Sequence, residues 1–248
     1  MTTSSARDKR VAVVTGAASG IGAALARILG ETQYHVAVAD LDAAGADKIA
    51  QECGGKPYRV DVADESSVVA LFEKVYEDFG RLDALATPAG ISDTTPFMDL
   101  SVDRWMQIYR INVVGTFLCI REAVKRMQPG GRICTVSSVA GKRGGGLAGT
   151  AAYSASKAAV IGLTRNAARV FGPRGIAVNG VVPAGTRTPM GRQVIPTAEM
   201  EAQVIASHPI GRMAEPEEVA RAIAWLLSPD ASFVLGEMVN VDGGVMMD

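Results

Sequence analysis

Tyr153 and Lys157 stand four positions apart in Tyr153-Ser154-Ala155-Ser156-Lys157, a spacing that puts both side chains on one face of a helix. A free phenol holds its proton up to about pH 10, too high for acid–base work at neutral pH. A fixed ammonium one helical turn away stabilises the phenolate and lowers that value, so the pair could carry a proton. The same spacing also fits a plain helix with one packed aromatic and one solvated lysine. The surrounding elements have to decide between the two.

A second piece of chemistry lies near the N-terminus. Residues 11–14 read as a buried strand and lead into Thr15-Gly16-Ala17-Ala18-Ser19-Gly20-Ile21-Gly22, then a helical stretch through Leu25, Ile28 and Leu29. Strand, glycine-rich turn and helix together aim backbone N–H groups and a helix N-terminus at a phosphate, and glycine lets the backbone approach it closely. The next strand, 35–39, ends in Asp40, where a carboxylate accepts bonds from adenosine ribose hydroxyls and repels a 2′-phosphate. Asp40 could instead cap the helix that follows. With no arginine placed after the turn or the second strand to receive a phosphate, NAD is favoured over NADP.

Further strands are expected at 58–60, 82–86, 133–136, 176–182 and 239–241. They alternate with helices at 64–79 (stopped by Gly80), at 101–127 as one long helix or a pair, at 153–170, and after Pro216. Residues 91–100, 139–152 and 184–212 read as loops, the second enlarged and glycine-rich. Regular β-α alternation without a linker predicts an α/β fold. It is a single domain over 1–248 with one doubly wound parallel sheet, helices on both faces and a flexible N-terminus over about 1–9.

Composition narrows the function. A net charge of −1 and pI near 6.2 give no nucleic-acid footprint. Two histidines argue against a histidine-rich metal site or a Ser-His-Asp hydrolase, and no metal is expected. Cys53, Cys119 and Cys134 lack metal or disulfide spacing and fit buried thiols in a reducing compartment. No apolar run approaches the ~20 residues of a membrane span, and the polar N-terminus carries no secretion signal. A cytoplasmic protein is expected.

These residues, in this order, carry a resemblance over nearly the whole chain. Thr15–Gly22, Asp61-Val62, Asn112, Ser138, Tyr153 with Lys157, Asn179 with Pro183, and Asp242-Gly243-Gly244 resemble the motifs of the short-chain dehydrogenases/reductases. The resemblance implies a Rossmann-type sheet of about seven strands, a nicotinamide cofactor and commonly a homotetramer. It assigns Tyr153 as the acid/base, Lys157 to the nicotinamide ribose and to lowering the tyrosine pKa, Ser138 to the substrate oxygen, and Asn112 to a water relay reaching Lys157. It places Gly16, Ser19, Gly20, Ile21, Gly22, Asp40, Leu41, Asp61, Val62, Ala89, Gly90, Tyr153, Lys157, Pro183, Thr186 and Thr188 at the cofactor. The sequence departs from the family at Thr87-Pro88, where Asn-Asn is usual, and in a Ser138-to-Tyr153 separation of 15 rather than 13.

The expected activity is hydride transfer between NAD(H) and a secondary alcohol or ketone. The alternatives are an NADPH-dependent 3-ketoacyl-thioester reductase, which Asp40 and Ser19 oppose, and a cofactor-binding relative without turnover. Lys142, Arg143, Arg187 and Arg192 fall in the loops expected to border the substrate. Arg143, Arg187 and Arg192 are therefore candidates to read an anionic substrate, against the reading of solvated loop charges or of Arg187 on the pyrophosphate.

Overall fold

The structure, a computed structural model, describes residues 9–146 and 150–247. The expectation of a flexible N-terminus falls on residues 1–8, outside the described residues except for Lys9. Seven strands build one sheet: β1 (Arg10–Thr15), β2 (Tyr34–Asp40), β3 (Lys56–Arg59), β4 (Leu82–Thr87), β5 (Met127–Val136), β6 (Ala177–Pro183) and β7 (Met238–Val241). Their order is β3-β2-β1-β4-β5-β6-β7, and every neighbouring pair is parallel. The order reverses between β1 and β4, the place where such sheets open a crevice at their carboxyl ends.

The strand alternation sorts two cores. Ala12, Val14, Val36 and Val38 face α1 (Gly20–Gly30), α2 (Ala43–Cys53) and α10 (Pro216–Leu227). Val11, Val13, Ala37 and Ala39 face α3 (Glu65–Phe79), α5 (Gly115–Arg126) and α7 (Ala151–Phe171). A period of two in the strands thus supplies both faces of the doubly wound sheet. The expected end of α3 is found: Asp64 caps its first turn and Gly80 closes it at φ 70°.

Three regions differ from the sequence expectation. The helical stretch 101–127 is continuous but not uniform: α4 (Val102–Tyr109) runs through a π-helical turn at Arg110–Val114 into α5. Residues 184–212 are not a loop but hold α8 (Pro189–Val194) and α9 (Ala198–Ala206), each capped by a threonine hydroxyl, Thr188 or Thr197. Both caps were visible in the sequence, but neither helix is long enough to show a periodic face. The 139–152 segment opens with a helical turn, α6 (Val139–Arg143), capped by Ser138. It continues through Gly144, Gly145 and Gly146 with φ of 79°, 137° and 151°. Residues 147–149 of that expected loop lie outside the described residues.

One charge is enclosed where α7 meets the sheet. Lys157 is 5% exposed, and its Nζ donates to the carbonyl of Val136 at 2.9 Å. Burial pushes its pKa down from 10.5 to about 8. The folded protein therefore binds this proton more weakly than the unfolded chain. The contribution is present above about pH 10.5, is lost as pH falls through 8, and amounts to roughly 3 kcal/mol in full. Between pH 7.5 and 9.5 the unfolding free energy of the cofactor-free protein should accordingly rise by roughly 2 kcal/mol relative to Lys157→Met. Urea unfolding of both proteins across that range reads the difference; parallel pH dependences would refute the burial argument.

Candidate active site

A cleft of about 500 Å³ opens along the carboxyl ends of the strands. Its first half is built by the glycine turn. Gly16 has φ 63°, and a Cβ there would lie 2.7 Å from the Ala89 backbone, so the turn after β1 packs directly on the turn after β4. Gly22 has no room either, its Cβ position lying 2.2 Å from the Gly16 carbonyl oxygen. Ser19 begins α1 without capping it, which leaves its hydroxyl uncommitted beside the first helical N–H groups. Across the turn stands Thr188, 3.2 Å from the Cβ position of Gly20.

Asp40 ends β2 at the far side of this half. Its Oδ2 accepts from the Ala18 N–H and its Oδ1 from the Asp42 N–H, both at 2.9 Å. The helix cap proper is Asp42, which accepts from Gly45, so the capping alternative for Asp40 does not describe this structure. Each carboxylate oxygen retains a lone pair for a further donor. Leu41, 56% exposed beside it, offers an apolar rim with Val60 and Val62.

The second half is built by β5 and α7. Val136, Ser137 and Ser138 in sequence each meet α7: Val136 O accepts from Lys157 Nζ, Ser137 Oγ donates to Lys157 O at 2.8 Å, and the Ser138 hydroxyl stands near enough to the Tyr153 phenol to influence its pKa. Burial pushes the Tyr153 pKa up and the Ser138 hydroxyl draws it down. Lys157 Nζ lies 5.8 Å from the centroid of the Tyr153 ring, on the same helical face. Gly141 of α6 presses on α7 so closely that a Cβ would come within 2.6 Å of the Lys157 carbonyl carbon.

Asn112, 1% exposed, sits in the π-helical turn. Its Oδ1 accepts from Ile91 N at 2.9 Å, and its Nδ2 donates to Ile91 O and to Ser156 Oγ, each at 3.0 Å. A Cβ on Gly90 would fall 3.0 Å from Asn112 Oδ1 and 3.5 Å from Lys157 Nζ. Gly90, Asn112 and Lys157 therefore converge, with Asn112 behind the wall rather than on the cleft surface.

The other expected cofactor residues, Gly16, Ser19, Gly20, Ile21, Gly22, Asp61, Val62, Ala89, Pro183, Thr186 and Thr188, all border the cleft. Of the expected substrate residues, Arg143 and Ser138 border it. Arg187 does not: its guanidinium is paired with Glu201 and Glu215. Arg192 is exposed and lies off the cleft wall, and Lys142 donates to Asn240 at 2.9 Å. The anticipated convergence of four cations is thus corrected to one, because long-range carboxylates on α9 and before α10 draw Arg187 away. His208 was missed. Its Nε2 accepts from Gly185 N at 3.2 Å and its Nδ1 faces Val204 O at 2.6 Å, fixing the turn after β6 against α9. Nothing local in the sequence signals that role.

A nicotinamide dinucleotide fits these residues on structural grounds. The glycine cradle has no room for side chains, and two of the three donors of the buried Lys157 ammonium have no acceptor among the described residues. Among the described residues no group of three or more His, Cys, Asp or Glu is placed to hold a metal ion, and no helix is long and apolar enough to cross a membrane.

Known proteins agree with this architecture. The sequence profile of a family described as enoyl-(acyl carrier protein) reductase matches residues 16–246. The chain is 44% identical to cis-4-hydroxycyclohexanecarboxylate dehydrogenase of Sinomonas cyclohexanicum, over 95% of this chain and 96% of that one. It is 41% identical to 2,5-dichloro-2,5-cyclohexadiene-1,4-diol dehydrogenase of Sphingobium indicum, over 94% and 95%. A crystal structure described as short-chain dehydrogenase/reductase SDR:glucose/ribitol dehydrogenase, from Brucella melitensis, superposes with a TM-score of 0.91 at 32% identity, covering 96% of this chain and 97% of that one. With the seven-stranded parallel sheet, the glycine cradle and the serine, tyrosine and lysine assembled at the end of β5, the chain belongs to the short-chain dehydrogenase/reductase family, an oxidoreductase family that binds a nicotinamide cofactor.

Proposed function

We propose that the protein is an NAD(H)-dependent dehydrogenase that interconverts a ring-borne secondary alcohol and its ketone. The observation that carries this reading is the meeting of Ser138, Tyr153 and Lys157 where β5 delivers α6 onto α7. The bound dinucleotide would supply or accept the hydride. Tyr153 takes the hydroxyl proton during oxidation and returns it during reduction, while Ser138 holds the same substrate oxygen. Lys157 would hold the nicotinamide ribose with its remaining donors, and its positive charge favours the Tyr153 phenolate. Asn112, its amide engaged by Ile91 and Ser156, holds the wall along which a water relay to Lys157 would run.

The cofactor half supports NAD. Asp40 presents a carboxylate where a 2′-phosphate would lie, and Ser19 brings no positive charge to the glycine turn. The substrate half is walled by Val139, Met190, Val194, Ile195 and Val204, with Arg143 at its edge. Arg143 has no hydrogen-bond or ion-pair partner among the described residues, whereas Lys142 and Arg187 are engaged. Apolar walls with one uncommitted guanidinium suit an alicyclic alcohol bearing a carboxylate, and the two relatives named for six-membered-ring substrates support that class. We further assign the protein to the cytoplasm, consistent with three free thiols, and to a homotetramer, for which exposed Phe117 on α5 and Phe233 before β7 offer apolar contact surface.

Tyr153→Phe keeps the ring but removes the proton carrier, so turnover should fall by at least about 10²-fold while NADH still binds, as read by its fluorescence. Near-normal turnover in this variant would overturn the acid/base role. For the cofactor, kcat/KM with NAD should exceed that with NADP by at least about tenfold, and Asp40→Ala should narrow the ratio. Equal use of NADP by the unaltered protein would exclude the Asp40 reading. For the substrate, cis-4-hydroxycyclohexanecarboxylate should be preferred to 4-methylcyclohexanol, and Arg143→Ala should lower kcat/KM for the carboxylate alone by about 10- to 100-fold. An equal loss on both alcohols, or a wild-type preference for the neutral one, rules Arg143 out as a carboxylate reader.

A further inference from the structure

Asp93 lies in the connection after β4, in a Ser-Asp-Thr-Thr-Pro stretch that reads as solvated loop, yet it is 4% exposed. Its carboxylate collects four donors. Arg104 Nε of α4 reaches Oδ1 at 3.0 Å, as does Thr95 Oγ1; Thr95 N reaches Oδ2 at 3.2 Å, and Thr150 Oγ1 reaches Oδ2 at 2.9 Å. Burial on its own would raise the pKa of this carboxyl. The donors from Arg104, Thr150 and Thr95 outweigh it and hold the group below its ordinary value, so it is ionised at neutral pH. Among the described residues Arg104 is its ion-pair partner.

Thr150 is the informative member. It stands at the N-cap of α7, where a threonine hydroxyl ordinarily accepts from an amide of the first turn. Here it makes no such cap and donates to Asp93, to the carboxylate and also to the backbone carbonyl at 3.0 Å. The anionic carboxylate also lies at the end of α7 that favours negative charge. The adjoining residues are held as well: Arg104 Nη2 donates to Ser92 O at 3.1 Å, and Ile91 exchanges two bonds with the Asn112 amide, which in turn reaches Ser156. Residues 91–93 are therefore joined to α7 at Thr150 and, through Asn112, at Ser156. Tyr153 lies between those two ties, and Ile91 and Ser92 border the cleft it faces.

We propose that Asp93 is a positioning residue for Tyr153: with Arg104 and Thr150 it locks the first turn of α7 to the 91–93 wall of the cleft and so fixes the phenol against Ser138. The proposal rests on the reading of Tyr153 as proton carrier. It predicts an effect on the chemical step and none on the distant adenosine half, where Asp40 and the glycine turn have their own bracing.

The test uses the full chain with Asp93→Asn, Thr150→Val, Thr150→Ser and the Asp93→Asn/Thr150→Val double variant, each assayed well below its melting temperature. The probe substrate is cis-4-hydroxycyclohexanecarboxylate with NAD. Asp93→Asn and Thr150→Val should each lose about tenfold or more in kcat, with KM and the NADH Kd within about twofold to threefold of wild type. Thr150→Ser keeps the donor and should retain wild-type turnover. The double variant should be no worse than the poorer single one, since both changes break one tie. Hydrogen exchange of the peptide spanning 150–157 should quicken by about tenfold in the two impaired variants while α1 and α10 are unchanged. Unaltered kcat in folded variants, an NADH Kd that weakens in step with kcat, or additive losses in the double variant would each overturn the proposal. Should Asp93→Asn fail to fold, Thr150→Val against Thr150→Ser decides the same point. If wild type leaves the probe alcohol untouched, the substrate reading fails by itself; unchanged exchange at 150–157 would then still reject the clamp.

Discussion

The structure turns on an ammonium group that is almost wholly buried at the wall of the cleft. Lys157 is enclosed by the end of β5, by α6 and by the turn after β4, with one acceptor among the described residues, the Val136 carbonyl, for its three donors. An isolated buried charge is expensive, and an apolar residue of similar volume would make a more stable protein. What the enclosure provides is a fixed positive potential beside a phenol, with two donors left for oxygen atoms entering the cleft. Much of the neighbouring sequence follows from that demand. Gly141 and Gly90 are glycine because a Cβ at either would collide with, or crowd, Lys157 and Asn112. Ser137 ties the Lys157 backbone to the end of β5, which holds α7 against the strand.

The phenol's own environment works against it in the protein alone. Burial raises the Tyr153 pKa, and the Ser138 hydroxyl only partly offsets this. Lys157 is on the right face but donates to Val136. The arrangement makes sense as one completed by its ligands. Ribose hydroxyls would engage the free donors of Lys157, and a substrate oxygen would join Ser138 and Tyr153, so that a proton is transferred easily only in the complex. Charge is likewise divided along the cleft. The carboxylates of Asp40 and Asp61 border one end of the cleft and Arg143 borders the other, a division of charge that suits the proposed placing of adenosine and of an anionic substrate in opposite halves.

The parts legible in the sequence are those encoded over short spans. A strand followed by Gly16-x-x-x-Gly20-x-Gly22, a carboxylate at the tip of β2, and Tyr153 with Lys157 one turn apart each carry their geometry within a few residues. The parallel, doubly wound character of the sheet followed from the alternation, because short β-α connections leave few ways to join strands. What could not be read depends on partners far along the chain. Arg187 looks like a substrate cation until Glu201, 14 residues on, is folded back beside it. Asp93 looks like loop until Thr150, 57 residues on, is brought to it. Short helices such as α8 and α9 fail for another reason: two turns cannot display a period, and their one local mark, a capping threonine at 188 or 197, is too common to signal a helix alone.

The substrate half of the cleft shows how these two kinds of information combine. Residues 184–214 return on themselves, with Thr186 and Ala214 bridged and Arg187 N and Ala214 N bonded across the neck. His208 pins Gly185 from α9's end, and the Arg187 pairs with Glu201 and Glu215 close the outer side. The segment is thus a small preformed wall, braced by ion pairs on its solvent face and apolar toward the cleft through Met190, Val194 and Val204. The opposite wall has a different construction, with Gly144, Gly145 and Gly146 carrying positive φ just past the helical turn that bears Arg143. A rigid apolar wall facing a glycine-hinged cation divides the work of recognition. For the ring alcohol proposed above, the first would fix the ring by shape, and the second would leave the Arg143 guanidinium freedom to meet a charged group wherever the ring presents it.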